Sequence, residues 1–206
     1  MSKRPHQATV VWAVRHGETD WNVAKRIQGH ADRAELTPLG RQQAWLAAHE
    51  LRSEPVDGVY SSDLLRARQT AAVIADLLGS EVRTDRRLRE RSFGELEGLD
   101  SSRLTSEYTG IEGETVVDPE ARAPGGESLQ EVWDRCADFL ACLAEWPGCS
   151  AVVVGHGGSI RMMELFAQGA NAAGSAWNTV ANASIHRLDL PPSSPVHSFA
   201  PATAPS

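Results

Sequence analysis

Lysine is almost missing from this chain. Of its 20 basic residues only Lys3 and Lys25 are lysine, and 27 acidic residues leave a formal net charge of −7 over 206 positions. Binding to nucleic acid or to an anionic membrane draws on long-range attraction by a basic surface, so this balance argues against both, while a local basic pocket stays open. Cysteine is scarce too. Cys136, Cys142 and Cys149 are odd in number and crowded into one region, which supplies neither a disulfide framework nor metal-ligand spacing; they read as small apolar fillers. No run of ~20 apolar residues exists. The stretch "MSKRPHQATVVWAV" is too short in apolar residues for a signal peptide and has no Ala-x-Ala site behind it. A cytoplasmic location is the expectation.

What is present is an ordinary globular balance, 41% hydrophobic and 23% charged. A chain of this length buries roughly 70% of its unfolded surface in one core, so one domain over residues 1–190 is expected, followed by a Pro/Ser/Ala-rich tail over 191–206 that cannot build a core. Ala8 to Val14 is near-continuously apolar, as suits a central strand covered on both faces. A helix is predicted after Thr37-Pro38, cap and first turn, to about Arg52, with Leu39, Ala44, Ala47, Ala48 and Leu51 on its apolar side. A strand over Val56–Tyr60, a helix closed by Gly79 and a strand near Glu81–Thr84 follow. The stretch from Arg86 to Gly126 has little periodicity and contains an irregular insertion at about 99–127. Order returns at Ser128, whose Ser-x-x-Glu opens a helix, then "SAVVVGHGGSIRMMELFAQG" gives strand, glycine turn and helix, and a last strand is predicted near Ala183–Leu190. The alternation predicts a three-layer α/β/α sandwich with a mainly parallel central sheet, its ligands at the carboxyl ends of the strands.

Two of those strand ends carry a histidine beside glycine, His16 after Arg15 and His156 before Gly157-Gly158. A parallel sheet can make them neighbours. Arg66 falls in the first turn of the helix that leaves the next strand. Two guanidiniums, two imidazoles and glycine-turn amides, with helix N-termini behind both strands, suit a tetrahedral dianion. Several phosphate chemistries are excluded by what is missing: Gly-x-x-x-x-Gly-Lys-Ser/Thr, Gly-x-Gly-x-x-Gly at a strand end, a cysteine with arginine six positions later, and Asp-x-Asp. Histidine remains as the nucleophile.

The blocks "RHGETDWN", "SSDLLRARQT", "LRERSFGELEG" and "VVVGHGGSIR", with "RIQGHAD" and "LTPLGRQQA" between them, resemble in order and spacing the signatures of the histidine phosphatase superfamily, which has the phosphoglycerate mutase-like fold. The resemblance implies that His16 carries the phosphoryl group. It implies that Arg15, Arg66 and His156 bind phosphate, with Asn22 and Gly157 as secondary contacts, that Glu90 is the general acid, and that Gln28 lines the pocket. Trp21, beside Asn22, is a candidate aromatic wall.

The chemistry fits those residue types. His16 needs a neutral ring whose other nitrogen is held by a carbonyl or carboxylate, and no metal or other cofactor is required if arginines neutralise the phosphate. Glu90 must be protonated although Arg89 and Arg91 flank it; in an extended stretch they point to the opposite face, and a bound dianion favours the acid form. Family mutases resemble one another in having Lys and paired Arg residues after the acid block. Here "LDSSRLTSEYTGIEGETVVDPEARAPGGES" has no Lys, isolated Arg103 and Arg122, and seven acids. A phosphatase acting on a small phosphorylated metabolite is therefore expected, the insertion being either a solvated loop or a lid with Tyr108, Ile111 or Arg103 on the leaving group. A serine hydrolase using Ser159 lacks the Gly-x-Ser-x-Gly elbow, and a phosphate-binding pseudoenzyme is disfavoured by the complete residue set. Six tryptophans leave room for a homodimer interface without specifying one.

Overall fold

The structure is a computed structural model that describes residues 8–190; the expected tail lies outside the described residues. Strand β1 (Thr9–Arg15) carries Val11 and Ala13 on one face and Val14 on the other, all fully buried, so both faces of the sheet must be covered. A one-turn helix α1 (Asp20–Val23) follows after a loop, and helix α2 (Pro38–Leu51) starts where Thr37 accepts the Gly40 amide. Strand β2 (Gly58–Ser61), helix α3 (Leu65–Leu78) and strand β3 (Val82–Thr84) come next, with Gly79 closing α3 at φ +65°.

The region of weak periodicity contains three 3-10 turns, a one-turn helix α4 (Ser106–Thr109) and a hairpin of β4 (Ile111–Glu112) and β5 (Thr115–Val116). It is tied down, because Val116 and Ala123 are buried. Helix α5 (Leu129–Ala144) opens on the Ser128/Glu131 capping box, and strand β6 (Ser150–Gly155), helix α6 (Gly157–Ala167) and strand β7 (Ile185–Leu190) complete the chain.

The sheet order is β3-β2-β6-β1-β7, parallel except for the edge strand β7. Ala47, Leu51, Ala71 and Ile74 of α2 and α3 pack on one face with Val14, Val152 and Val154. Leu129, Leu140, Ile160 and Met163 of α5 and α6 pack on the other with Val11, Ala13 and Val153. The three layers are those expected. No described helix is long and apolar enough to cross a membrane.

Three expectations need correction. Leu39 is exposed on α2. Of the cysteines, only Cys136 fills the core; Cys142 is exposed and Cys149 is half-buried. Strand β1 hands over to a loop and not to a helix, so only the strand ends at β2 and β6 lead into long helices.

Candidate active site

Strands β1 and β6 are adjacent and in register, Arg15 opposite Gly155, and the next residue of each chain is a histidine. Their rings stand 5.2 Å apart, centroid to centroid. From here β1 connects to β2 on one side while β6 connects to β7 on the other, so the crevice is a switch point of the sheet. Two glycines make the approach possible. A Cβ on Gly17 would stand 2.3 Å from the Gly40 carbonyl oxygen, and one on Gly40 would stand 2.0 Å from that of Glu18. The loop after β1 therefore lies backbone to backbone on α2, with Glu18 further tied to the Thr37 hydroxyl at 2.8 Å. Glu18 is a structural clasp.

His16 is 3% exposed, and its Nδ1–H donates to the Gly17 carbonyl at 2.8 Å. That bond fixes the tautomer and leaves Nε2 with a free lone pair. Burial, then the charges of Arg66 and Arg15, hold the ring well below its ordinary pKa of 6.5, so it is neutral near pH 7. His156 is fully buried and held low in the same way, by burial first and then by Arg66 and His16. Its two ring nitrogens have no partner in the protein.

Arg66, only 1% exposed, leaves the first turn of α3 and donates to the carbonyls of Ala31 and Gly29 at 3.1 and 2.8 Å. Burial lowers its pKa to about 10, with Glu90 opposing, and it remains a cation. Arg15 donates through Nη1 to the Val180 carbonyl. The Nε–H groups of Arg15 and Arg66 and the Oε1 of Gln28 are buried without protein partners. Such groups are costly unless a ligand meets them. Arg15, His16, Asn22, Gln28, Arg66 and Glu90 line one cavity of about 180 Å³.

Glu90 completes that wall. Its carboxylate accepts the Arg91 amide at 2.8 Å and the Gly158 amide, at the start of α6, at 3.2 Å. Asn22 caps its own helix, accepting the Thr19 amide at 3.1 Å, and Gln28 donates to the Thr19 hydroxyl at 2.9 Å. Gly157 sits between Arg15 Nε and Glu90, and a Cβ there would be 3.9 and 4.0 Å from them. Trp21 does not line the cavity; its ring edge lies against Gly98. The arginines flanking Glu90 both turn away from the cleft, though not by strand alternation, because the segment is irregular. Arg89 forms a two-point ion pair with Asp63 at 2.6 Å, and Arg91 is buried on carbonyls of Tyr108, Thr109, Ala121 and Glu127.

Ser159 is not a nucleophile. It is fully buried, and its hydroxyl accepts from the His156 amide at 3.0 Å. Burial pushes the Cys136 thiol up to about 12, so it stays protonated. Among the described residues no three His, Cys, Asp or Glu side chains form a metal-ligand group.

A profile of the histidine phosphatase superfamily (branch 1) matches residues 11–198. The chain belongs to that superfamily. Among curated histidine phosphatase relatives, "Probable phosphoglycerate mutase GpmB" of Salmonella choleraesuis is 39% identical over 181 residues, 87% of this chain and 84% of that protein. A mycobacterial glucosyl-3-phosphoglycerate phosphatase, solved with VO3, superposes with a TM-score of 0.75 at 33% identity, covering 86% of this chain and 90% of the other. A variant phosphoserine phosphatase of Entamoeba histolytica, in complex with phosphoserine, superposes at 0.68 with 29% identity over 87% and 89% of the two chains.

Sequence reasoning missed several groups that this superfamily member brings to the cleft. Arg26 lines its mouth, with Nη1 on the Gly98 carbonyl at 3.1 Å, and lay in view in "KRIQG". Asn182 donates to the His16 carbonyl at 3.0 Å from a stretch with no motif. Arg135 of α5 donates to the carbonyls of Arg87, Arg89 and Glu90 at 2.7, 2.6 and 2.9 Å and pairs with Glu127. Its place in the helix reads as an ordinary solvated face, which is why sequence hid it.

Proposed function

We propose that the chain hydrolyses a small-molecule phosphomonoester without a metal, through a phosphohistidine on His16. The observation that carries the reading is the bare Nε2 of a neutral His16, its Nδ1 tied to Gly17, among the unpartnered donors of Arg15, Arg66 and His156. Nε2 attacks phosphorus, the P–O bond to the alcohol breaks, and Glu90 gives the leaving oxygen its proton. Arg15, Arg66 and His156 hold the three equatorial oxygens as charge builds on them. The Gly158 amide, at the start of α6, bonds the Glu90 carboxyl and holds it in the cavity wall. Glu90, now a base, takes a proton from the water that attacks the phosphohistidine, and phosphate leaves.

A second reading, phosphoryl transfer between small phosphorylated acids, draws support from the GpmB relatives and from the cation Arg26 at the cleft mouth. The absence of lysine from the insertion favours water as acceptor. The test is phosphate release from a generic aryl phosphate with a chelator present, beside His16→Ala. Release by the wild type alone, with an acid-labile and base-stable phosphoryl group trapped on it, is the expected result. Binding without turnover would support a pseudoenzyme, and faster isomerisation of 3-phosphoglycerate than hydrolysis would support the mutase.

A further inference from the structure

A second cavity of about 180 Å³ is lined by Glu90, Arg91 and Gly158 and does not include His16 in its wall. The two cavities share Glu90, Phe93 and Leu104, so the acid stands on the partition between them. Beyond Phe93 and Leu104, the second is walled by Ile111, Trp177 and Thr109. The hairpin of the insertion builds it: Trp177 donates its amide to the Glu114 carbonyl at 2.7 Å, and Val116 donates to the Ser175 carbonyl at 3.0 Å. The insertion thereby holds the 174–177 segment against the site.

The polar groups of this second cavity are already committed. The Thr109 hydroxyl donates to the Thr105 carbonyl at 3.0 Å. The Arg91 guanidinium bonds the carbonyls of Tyr108, Thr109, Ala121 and Glu127, and its Cζ lies 5.5 Å from the Phe93 centroid. What remains is Glu90 at the entrance. A carboxylate placed here would face Glu90 and lose its hydration, and the buried Arg91 guanidinium that also lines the cavity is already engaged by four backbone carbonyls.

We infer that this cavity receives the leaving alcohol and that the substrate is a phosphomonoester of an uncharged, largely apolar alcohol about the size of one aromatic ring. The inference rests on the phosphatase reading and specifies its substrate class. With phosphorus in line with His16 Nε2, an ester oxygen within reach of Glu90 directs its carbon toward Phe93, Leu104 and Trp177. Of the residues named for a lid, Ile111 lines this cavity, whereas Tyr108 and Arg103 line neither.

The experiment compares kcat/KM for three primary-alcohol esters, 2-phenylethyl phosphate, 3-phosphoglycerate and phosphoserine, in the wild type, Trp177→Ala and Ile111→Asn, each checked for folding by circular dichroism. The expected result is a preference of about tenfold or more for the phenylethyl ester, the scale of moving one ring's worth of apolar surface out of water. Both variants should lower that ratio at least several-fold. Equal use of the three esters, preference for either phosphorylated acid, or a ratio unmoved in both variants would overturn the inference and assign the leaving group to the Arg26 side of the cleft. Those outcomes would leave the phosphatase reading intact. Failure of the wild type to hydrolyse any of the three, or the generic aryl phosphate, would defeat that reading itself.

Discussion

At the scale of single residues, the proposed reaction turns on two protons. One sits on His16 Nδ1, where the Gly17 carbonyl keeps it. In the proposed reaction the other reaches the leaving oxygen from Glu90, whose carboxyl accepts the Arg91 and Gly158 amides. Glu90→Gln should therefore lower kcat for an alkyl phosphate by about 10²–10⁴-fold, because a poor leaving group needs its proton. With nitrophenyl phosphate the same variant should release one nitrophenol per protein in a burst and then turn over slowly, since the leaving group needs no acid but water still needs a base. Rapid-quench kinetics reads both. Equal losses in the first turnover of the two esters would place Glu90 in binding and not in proton transfer.

At the scale of elements, the site depends on how loops are fastened to helices. Gly40 lies in the first turn of α2 against the loop after β1, with only 2.0 Å for a Cβ before the Glu18 carbonyl oxygen. In an open helix Gly→Ala would stabilise by about 0.5–1 kcal/mol. Here the backbone must move to admit the methyl, and overpacking of that kind costs about 1–3 kcal/mol. Gly40→Ala should thus be net destabilising by about 1–2 kcal/mol in urea titration, with kcat falling as His16 shifts. Arg135 does the corresponding work for the acid loop, holding three consecutive-turn carbonyls and the Glu127 carboxylate from α5. Arg135→Met leaves that carboxylate without its guanidinium partner and should cost about 3 kcal/mol of stability. It should also lower kcat for alkyl esters more than for nitrophenyl phosphate, a split that a purely structural loss would not produce.

At the scale of the whole molecule, the buried charges make stability depend on pH in two windows. His16 and His156 are held well below their ordinary 6.5, burial being the larger cause in each. Below 6.5 the unfolded chain takes up protons that the folded chain refuses, so stability is full above that value and falls as the pH drops toward the folded pKa values. Burial raises the Glu127 carboxyl, but hydrogen bonds from His30 and Arg135 outweigh it and bring it to about 2 from 4.5. Its contribution is present above 4.5 and is lost as pH falls from there to about 2. Urea midpoints at constant ionic strength should hold steady from pH 8 to about 6.5 and then decline, with uptake of two protons per molecule in the first window. A midpoint unchanged down to pH 5 would show that the two imidazoles are not buried neutral.

Local patterns in the chain were enough to determine the layers, the two histidine-bearing strand ends and the capped helices, because apolar periodicity, Thr37-Pro38 and the Ser128 box act over a few residues. The motif blocks named His16, Arg15, Arg66, Glu90 and His156, and the fold gathers them at one crevice. Tertiary structure alone decided the rest. The Gly17 carbonyl as tautomer partner, Arg135 behind Glu90, Asn182 behind His16 and the apolar second cavity all join segments far apart in sequence. A hydrogen bond or a packed ring across such a distance leaves no period in the chain; it exists only once the sheet has brought the segments together. In the insertion that reads as an acidic loop, Val116 and Ala123 are buried and Glu127 turns inward to Arg135, while Leu99 and Val117 stay exposed; burial, which composition cannot record, makes that difference.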